Sequence, residues 1–209
     1  MIATSKPLSS AQPDPERMAA TRSAVPEGPG IGLTLKIALA GDPGVGKSSL
    51  VRRFVSDTFD DQYVSTLGTK VSSRKFRVDD PRHVGASIEV GASVWDVMGS
   101  LGFRELLKDA FFSNTQAVLY VCDRTRPESL WSLLDWAAAV ESVAGPTPAV
   151  LLVNKSDLAG PETISAADVD QLCRARGWRS LDTSAKTGSN VEAAFRLVAQ
   201  AYLTRVQTK

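Results

Sequence analysis

Nine residues, GDPGVGKSS at positions 41–49, could hold a phosphate. They match the pattern of a glycine, four residues, then Gly-Lys-Ser/Thr. Glycines let backbone N–H groups turn inward around phosphate oxygens, so Gly44, Val45, Gly46 and Ser49 are candidate contacts beside Lys47. A helix starting there would add its positive dipole end. Lys47 can reach β- and γ-phosphates, and the Ser48 hydroxyl can ligate Mg²⁺. This loop alone does not distinguish ATP from GTP. Two later stretches do: NKSD (154–157) and SAK (184–186), each directly after an apolar run. Either alone reads as a turn. In this order and behind a phosphate loop they are specific. The Asp157 carboxylate can accept from both the ring N–H and the exocyclic amine of guanine, and adenine offers no such donor pair. A carboxylate left unpaired in a buried site can discriminate by about 10⁴. A fourth stretch, WDVMGS (95–100), places an acid and a glycine after a tryptophan at the end of a strand-like segment.

The elements that position these loops follow from periodicity. LTLKIALAG (33–41) alternates like a strand, and a helix follows from Lys47. KVSSRKFRV (70–78) and ASIEVGASVW (86–95) predict two hairpin strands around the turn residues 79–85. RELLKDAFF (104–112) is helical. QAVLYVCD (116–123) and AVLLVN (149–154) are continuous apolar runs, as in strands buried on both faces. One helix is predicted over 128–143, another over 165–177 with Ser165 and Asp168 as its cap and Gly177 as its stop. A short strand (179–184) and a helix (190–202) close the pattern. Six strands alternating with helices predict an α/β sandwich in three layers: a mostly parallel sheet with one antiparallel edge strand and helices on both faces. Ligands in such folds sit beyond the carboxyl ends of the strands, where these loops lie.

Composition sets limits. The chain has 209 residues, a net charge of +1, 43% hydrophobic and 22% charged residues, all ordinary for a globular domain. The charge balance gives no argument for nucleic acid. Two cysteines without a CxxC pair fit a reduced, cytoplasmic setting, and a single histidine argues against a Cys/His metal site. No run is long and apolar enough to cross a membrane. Residues 1–31 are rich in Pro, Ser and Ala without periodicity and predict a flexible tail, leaving 32–209 as the folded domain. The C-terminal TRVQTK holds no cysteine, so no prenyl membrane anchor is expected. Trp131, Trp136, Phe111 and Phe112 are expected to be structural, His83 solvated, and Arg104 a surface or partner contact.

The phosphate loop, YVSTLG (63–68), the WDxxG motif at 95–99, NKSD and TSAKTGSNV (183–191) together resemble the small GTPases of the Ras superfamily, most of all its Rab and Ran branches. The resemblance spans about residues 33–205. It implies a P-loop NTPase fold that binds GTP and GDP with Mg²⁺ and hydrolyses GTP. It implies that Lys47 and Ser48 hold phosphate and Mg²⁺, that Thr66 completes the Mg²⁺ shell when a γ-phosphate is present, and that Asp96 binds Mg²⁺ through water. Thr69 competes with Thr66, but Phe59, implied to edge the guanine ring, sets the register. The Gly99 N–H is implied to meet the γ-phosphate. Asn154, Lys155 and Asp157 frame the base, the Ala185 N–H meets the guanine carbonyl, and Ser184 and Lys186 support it. Effectors, and exchange or activating factors, are implied at 59–69 and 96–113, with the chain itself expected to be a monomer.

Two positions depart from the family. Ser100 stands where a glutamine usually orients the attacking water, and Pro43 stands where glycine or serine is common. Proline fixes φ and lacks an N–H. Its ring is expected to obstruct an arginine supplied by an activating partner. The shorter Ser100 predicts slow hydrolysis, down by up to about 10²–10³. The alternative reading is a non-catalytic module that stays GTP-loaded. A P-loop kinase or ATPase is disfavoured by NKSD with SAK.

Overall fold

Leu35, Ile37 and Leu39 alternate with Ala38 and Ala40 along β1 (Leu33–Ala40), and all are fully buried. A strand sends successive side chains to opposite faces, so β1 feeds two cores at once. Leu35, Ile37 and Leu39 join one cluster with Leu50, Phe54, Phe195 and Val198. Ala38 and Ala40 join another with Phe112, Tyr120, Trp136 and Leu172. β4 (Ala117–Asp123) divides likewise: Ala117, Leu119 and Val121 to the first, Val118, Tyr120 and Cys122 to the second. These are the two faces of one sheet in a computed structural model that describes residues 33–60, 68–81, 83–99, 101–158 and 163–207.

The sheet has six strands in the order β2-β3-β1-β4-β5-β6. β2 (Thr69–Asp79) pairs antiparallel with β3 (Ser87–Val97) and is an edge strand. β3, β1, β4, β5 (Ala149–Asn154) and β6 (Arg179–Asp182) run parallel. The parallel strands therefore end on one edge of the sheet, where the nucleotide motifs fall.

α1 (Lys47–Ser56) and α6 (Val191–Gln207) cover one face. Phe54 and Phe195 stack across them with centroids 3.7 Å apart, and Phe76 meets Phe54 edge-on. The other face takes α2 (Leu101–Phe112), α3 (Glu128–Trp131), α4 (Leu133–Ala144) and α5 (Ala166–Arg176). α5 starts and stops as expected: the Ser165 hydroxyl accepts from the Asp168 N–H at 3.1 Å, and Gly177 adopts a left-handed φ of 66°.

Several expected elements differ in extent. The hairpin strands are longer, α2 begins at Leu101, β6 ends at Asp182 and α6 continues to Gln207. The helix expected over 128–143 is broken at Ser132 into α3 and α4. The Ser132 hydroxyl bonds back to the Ser129 carbonyl and also reaches Asp42, and such side-chain bonding within a helix bends it. Phe111, Phe112 and Trp136 are core residues as expected, whereas Trp131 is partly exposed. His83 is exposed, but its Nδ1 lies 3.0 Å from the Asp80 carboxylate in the hairpin turn. No helix among the described residues is long and apolar enough to cross a membrane. Residues 1–31, Thr66 and Ser100 lie outside the described residues, as does the Arg104 side chain.

Candidate functional site

The loop from Gly41 to Gly46 leaves β1 and turns into α1. Its backbone needs glycine: Gly44 has φ 74° and Gly46 has φ 99°. At Gly41, a Cβ would lie 2.2 Å from the Val121 carbonyl oxygen, so β4 leaves no room for a side chain. Lys47 opens α1 but is buried, and its Nζ donates to the Gly41 and Asp42 carbonyls at 2.6 and 2.8 Å. Burial pushes its ammonium down to about 8, against the opposing pull of Asp96 and Asp42. A cation held this way, inside a ring of backbone N–H groups, suits an anion that brings charge of its own.

Asp96 sits near the end of β3, paired in register with Leu39 of β1. Its side chain is buried, which raises the carboxyl pKa; a hydrogen bond with Ser48 and the charges of Lys47, Lys70 and Arg52 oppose that. Among the described residues its Oδ1 has no hydrogen-bond partner. A buried carboxylate oxygen without a partner is costly, and a divalent cation would relieve it. Ser48 and Asp96 thus fit Mg²⁺, which takes few protein ligands and keeps waters and phosphate oxygens. Gly99 lies against the phosphate loop. A Cβ there would stand 2.6 Å from both Asp42 C and Pro43 N.

The base-reading stretches follow β5 and β6. Asn154 joins them to the phosphate loop: its Nδ2 donates to the Val45 carbonyl at 2.8 Å. Its Oδ1 accepts from the Thr183 hydroxyl at 3.2 Å and from the Ala185 N–H at 3.3 Å. The Ser184 hydroxyl donates to Asp157 Oδ1 at 2.6 Å and accepts from the Thr187 N–H, which fixes the carboxylate's direction. Arg53 of α1 grips the loop from outside, donating to the Ala185 and Lys186 carbonyls. Phe59 is partly buried against the core that holds α1 and α6. Thr69 is part of the β2 ladder, opposite Val97.

Other residues at the site were not foreseen. The Lys155 ammonium, expected to lay its stem along the base, donates to Asp123 Oδ2 at 2.6 Å. Asp123 is buried at the end of β4; burial pushes its carboxyl up, but hydrogen bonds from Lys155 and Thr125 outweigh this and hold it below its ordinary value. Arg126 donates from Nε to Asp123 and from Nη2 to the Pro43 carbonyl, at 3.2 and 2.9 Å. Trp136 Nε1 and the Ser132 hydroxyl donate to the two oxygens of Asp42 at 2.9 and 2.7 Å. The signal was the strand-end position of DRTR (123–126), the one loop at this edge whose polar residues carry no familiar spacing.

Chain comparison agrees with this geometry. The sequence pattern of the Ras family matches residues 36–204. The Ras-related protein Rab-13 of Mesocricetus auratus is 30% identical over 171 residues, covering 81% of this chain and 80% of that protein. Rab-13 of Bos taurus is similar to the same extent, 30% over 171 residues. A phosphate loop, a buried acid after β3 and two tied base loops, on a fold matched over nearly its whole described length, place this chain in the Ras family.

Proposed function

We propose that the chain is a guanine-nucleotide switch that binds GTP and GDP with Mg²⁺ and hydrolyses GTP slowly. Membership of the Ras family supports a GTP-binding switch. The observation that carries the reading to this chain's own residues is Asn154, whose amide ties the Val45 carbonyl to the Ala185 N–H and Thr183. One side chain thereby sets the distance between the phosphate loop and the base loops.

In this reading Gly44, Val45, Gly46 and Ser49 offer N–H groups to the phosphates, and Lys47 exchanges its carbonyl partners for β- and γ-phosphate oxygens. Ser48 and Asp96 hold Mg²⁺, which when bound adds positive charge at the same oxygens. Asp157 takes the guanine donor pair, the Ala185 N–H takes the guanine carbonyl, and Phe59 and the Lys155 stem flank the ring. Ser184 and Lys186 support the loop. Thr66 and Gly99 sense the γ-phosphate, so that segments 59–69 and 96–113 take different arrangements before and after hydrolysis. Effectors, and exchange or activating factors, read those segments. Residues 32–209 form the switch domain, residues 1–31 a tail, and the two buried free cysteines suit the cytoplasm.

Hydrolysis is slow because Ser100 replaces a longer water-orienting side chain. A second reading, a persistently GTP-loaded module without turnover, is favoured by Ser100 and Pro43 together. Single-turnover GTP cleavage by wild type and Ser100→Gln separates the two. Slow cleavage that Ser100→Gln accelerates about tenfold or more supports a sluggish switch. No cleavage by either, with GTP retained after purification, supports the module.

A further inference from the structure

Arg126 lies at the γ-phosphate rim of the phosphate loop, in a place the reading above leaves unused. Its Nη2 donates to the Pro43 carbonyl at 2.9 Å and its Nε to Asp123 at 3.2 Å. Gly99 packs on the adjoining Asp42–Pro43 peptide, close enough that a Cβ would come within 2.6 Å of Pro43 N. If the Gly99 N–H meets a γ-phosphate, this peptide borders that phosphate, and the Arg126 guanidinium sits on the same peptide. The side chain is 37% exposed, so its outer nitrogens can be re-aimed while Nε stays on the 2% exposed Asp123 carboxylate. Arg126 also acts electrostatically on Lys47, lowering its proton affinity, which places two cations around one loop.

We propose that Arg126 is a γ-phosphate ligand supplied by the chain itself. A guanidinium bonded to a neutral carbonyl gains by moving to a phosphate oxygen, where the bond is charge-assisted and can be forked. GDP lacks that oxygen, so the gain is specific to the triphosphate. During hydrolysis the water oxygen bonds to the γ-phosphorus and the bond to the β–γ bridging oxygen breaks. That oxygen leaves on GDP with the electron pair, and the proton of the water passes to solvent. Arg126 transfers no proton; it neutralises charge on the γ-phosphoryl oxygens, a contribution that matters more where Ser100 replaces glutamine. Pro43 obstructs an arginine arriving from another protein, and Arg126 already occupies that approach.

This inference rests on the guanine-nucleotide reading, and one set of measurements separates their failures. Affinities of the full chain for GDP and for a non-hydrolysable imido-triphosphate of guanosine are measured in Mg²⁺, with single-turnover GTP cleavage, for wild type, Arg126→Ala and Arg126→Lys. Arg126→Ala is expected to lose about tenfold in triphosphate affinity and at least about tenfold in cleavage rate, with GDP affinity unchanged. Arg126→Lys is expected to fall between, because it keeps the charge without the fork. Parallel loss of both affinities would make Arg126 a strap between Asp123 and Pro43 and overturn the proposal. Unchanged behaviour in both variants would overturn it too. A wild-type chain that binds neither nucleotide would overturn the switch reading and this inference with it.

Discussion

Lys47 pairs a buried ammonium with two backbone carbonyls, and burial wins over its carboxylate neighbours, leaving a pKa of about 8 against 10.5 for an ordinary lysine. The unfolded chain therefore holds a proton that the folded chain sheds between these values. Unfolding takes up a proton in that window, and stability without nucleotide is expected to rise with pH from about 8 towards 10.5. Below the window the cost of the buried charge is fully present. Chemical denaturation across this range in wild type and Lys47→Met checks it: the lysine contribution to the slope should vanish in the variant, and an unchanged slope contradicts the assignment. Gly99 makes the second residue-scale prediction. An alanine there meets Asp42 and Pro43 backbone at 2.6 Å, so the loop after β3 must lift off the phosphate loop. Gly99→Ala is expected to keep GDP affinity and lose about tenfold for the imido-triphosphate. Equal affinities for wild type and variant would show that this close approach does not serve the γ-phosphate.

At the scale of elements, the α3–α4 break serves the phosphate loop. Ser132 and Trp136 hold both oxygens of Asp42, so a helix on one face of the sheet fixes the entry of a loop at its edge. Trp136→Phe removes one donor and part of a fully buried ring. It is expected to cost about 1–3 kcal/mol in urea denaturation and to speed GDP release. Unchanged stability and release would mean that Ser132 alone suffices. These contacts also mark where the sequence could be read and where it could not. β4 and β5 were legible because apolar runs bounded by polar turns need only local pattern, and α5 because its cap and stop are local too. The break at Ser132 was not, since serine is unremarkable in a helix and its partner is 90 residues away in sequence. Lys155 was legible as part of NKSD, but its bond to Asp123 depends on β4 and β5 ending side by side. Ser165→Ala is the local counterpart: losing the cap to the Asp168 N–H should cost about 1 kcal/mol of stability in the same denaturation, with nucleotide affinity unchanged. A loss of affinity would tie α5 to the site.

For the whole molecule, the parallel strand order brings residues from four separate loops to one edge. Asn154 spans 109 residues to reach Val45, and Ser184 spans 27 to reach Asp157. Those distances explain why motif spacing alone identified the parts but not their contacts. They also make guanine recognition a property of the assembled edge rather than of any one loop. The most direct measurement is competition: displacement of a fluorescent GDP from the full chain in Mg²⁺ by GDP, GTP, ADP and ATP. Both guanine nucleotides should displace it at concentrations about 10⁴-fold below those of the adenine nucleotides. Displacement by ATP or ADP as readily as by GTP or GDP would contradict the account.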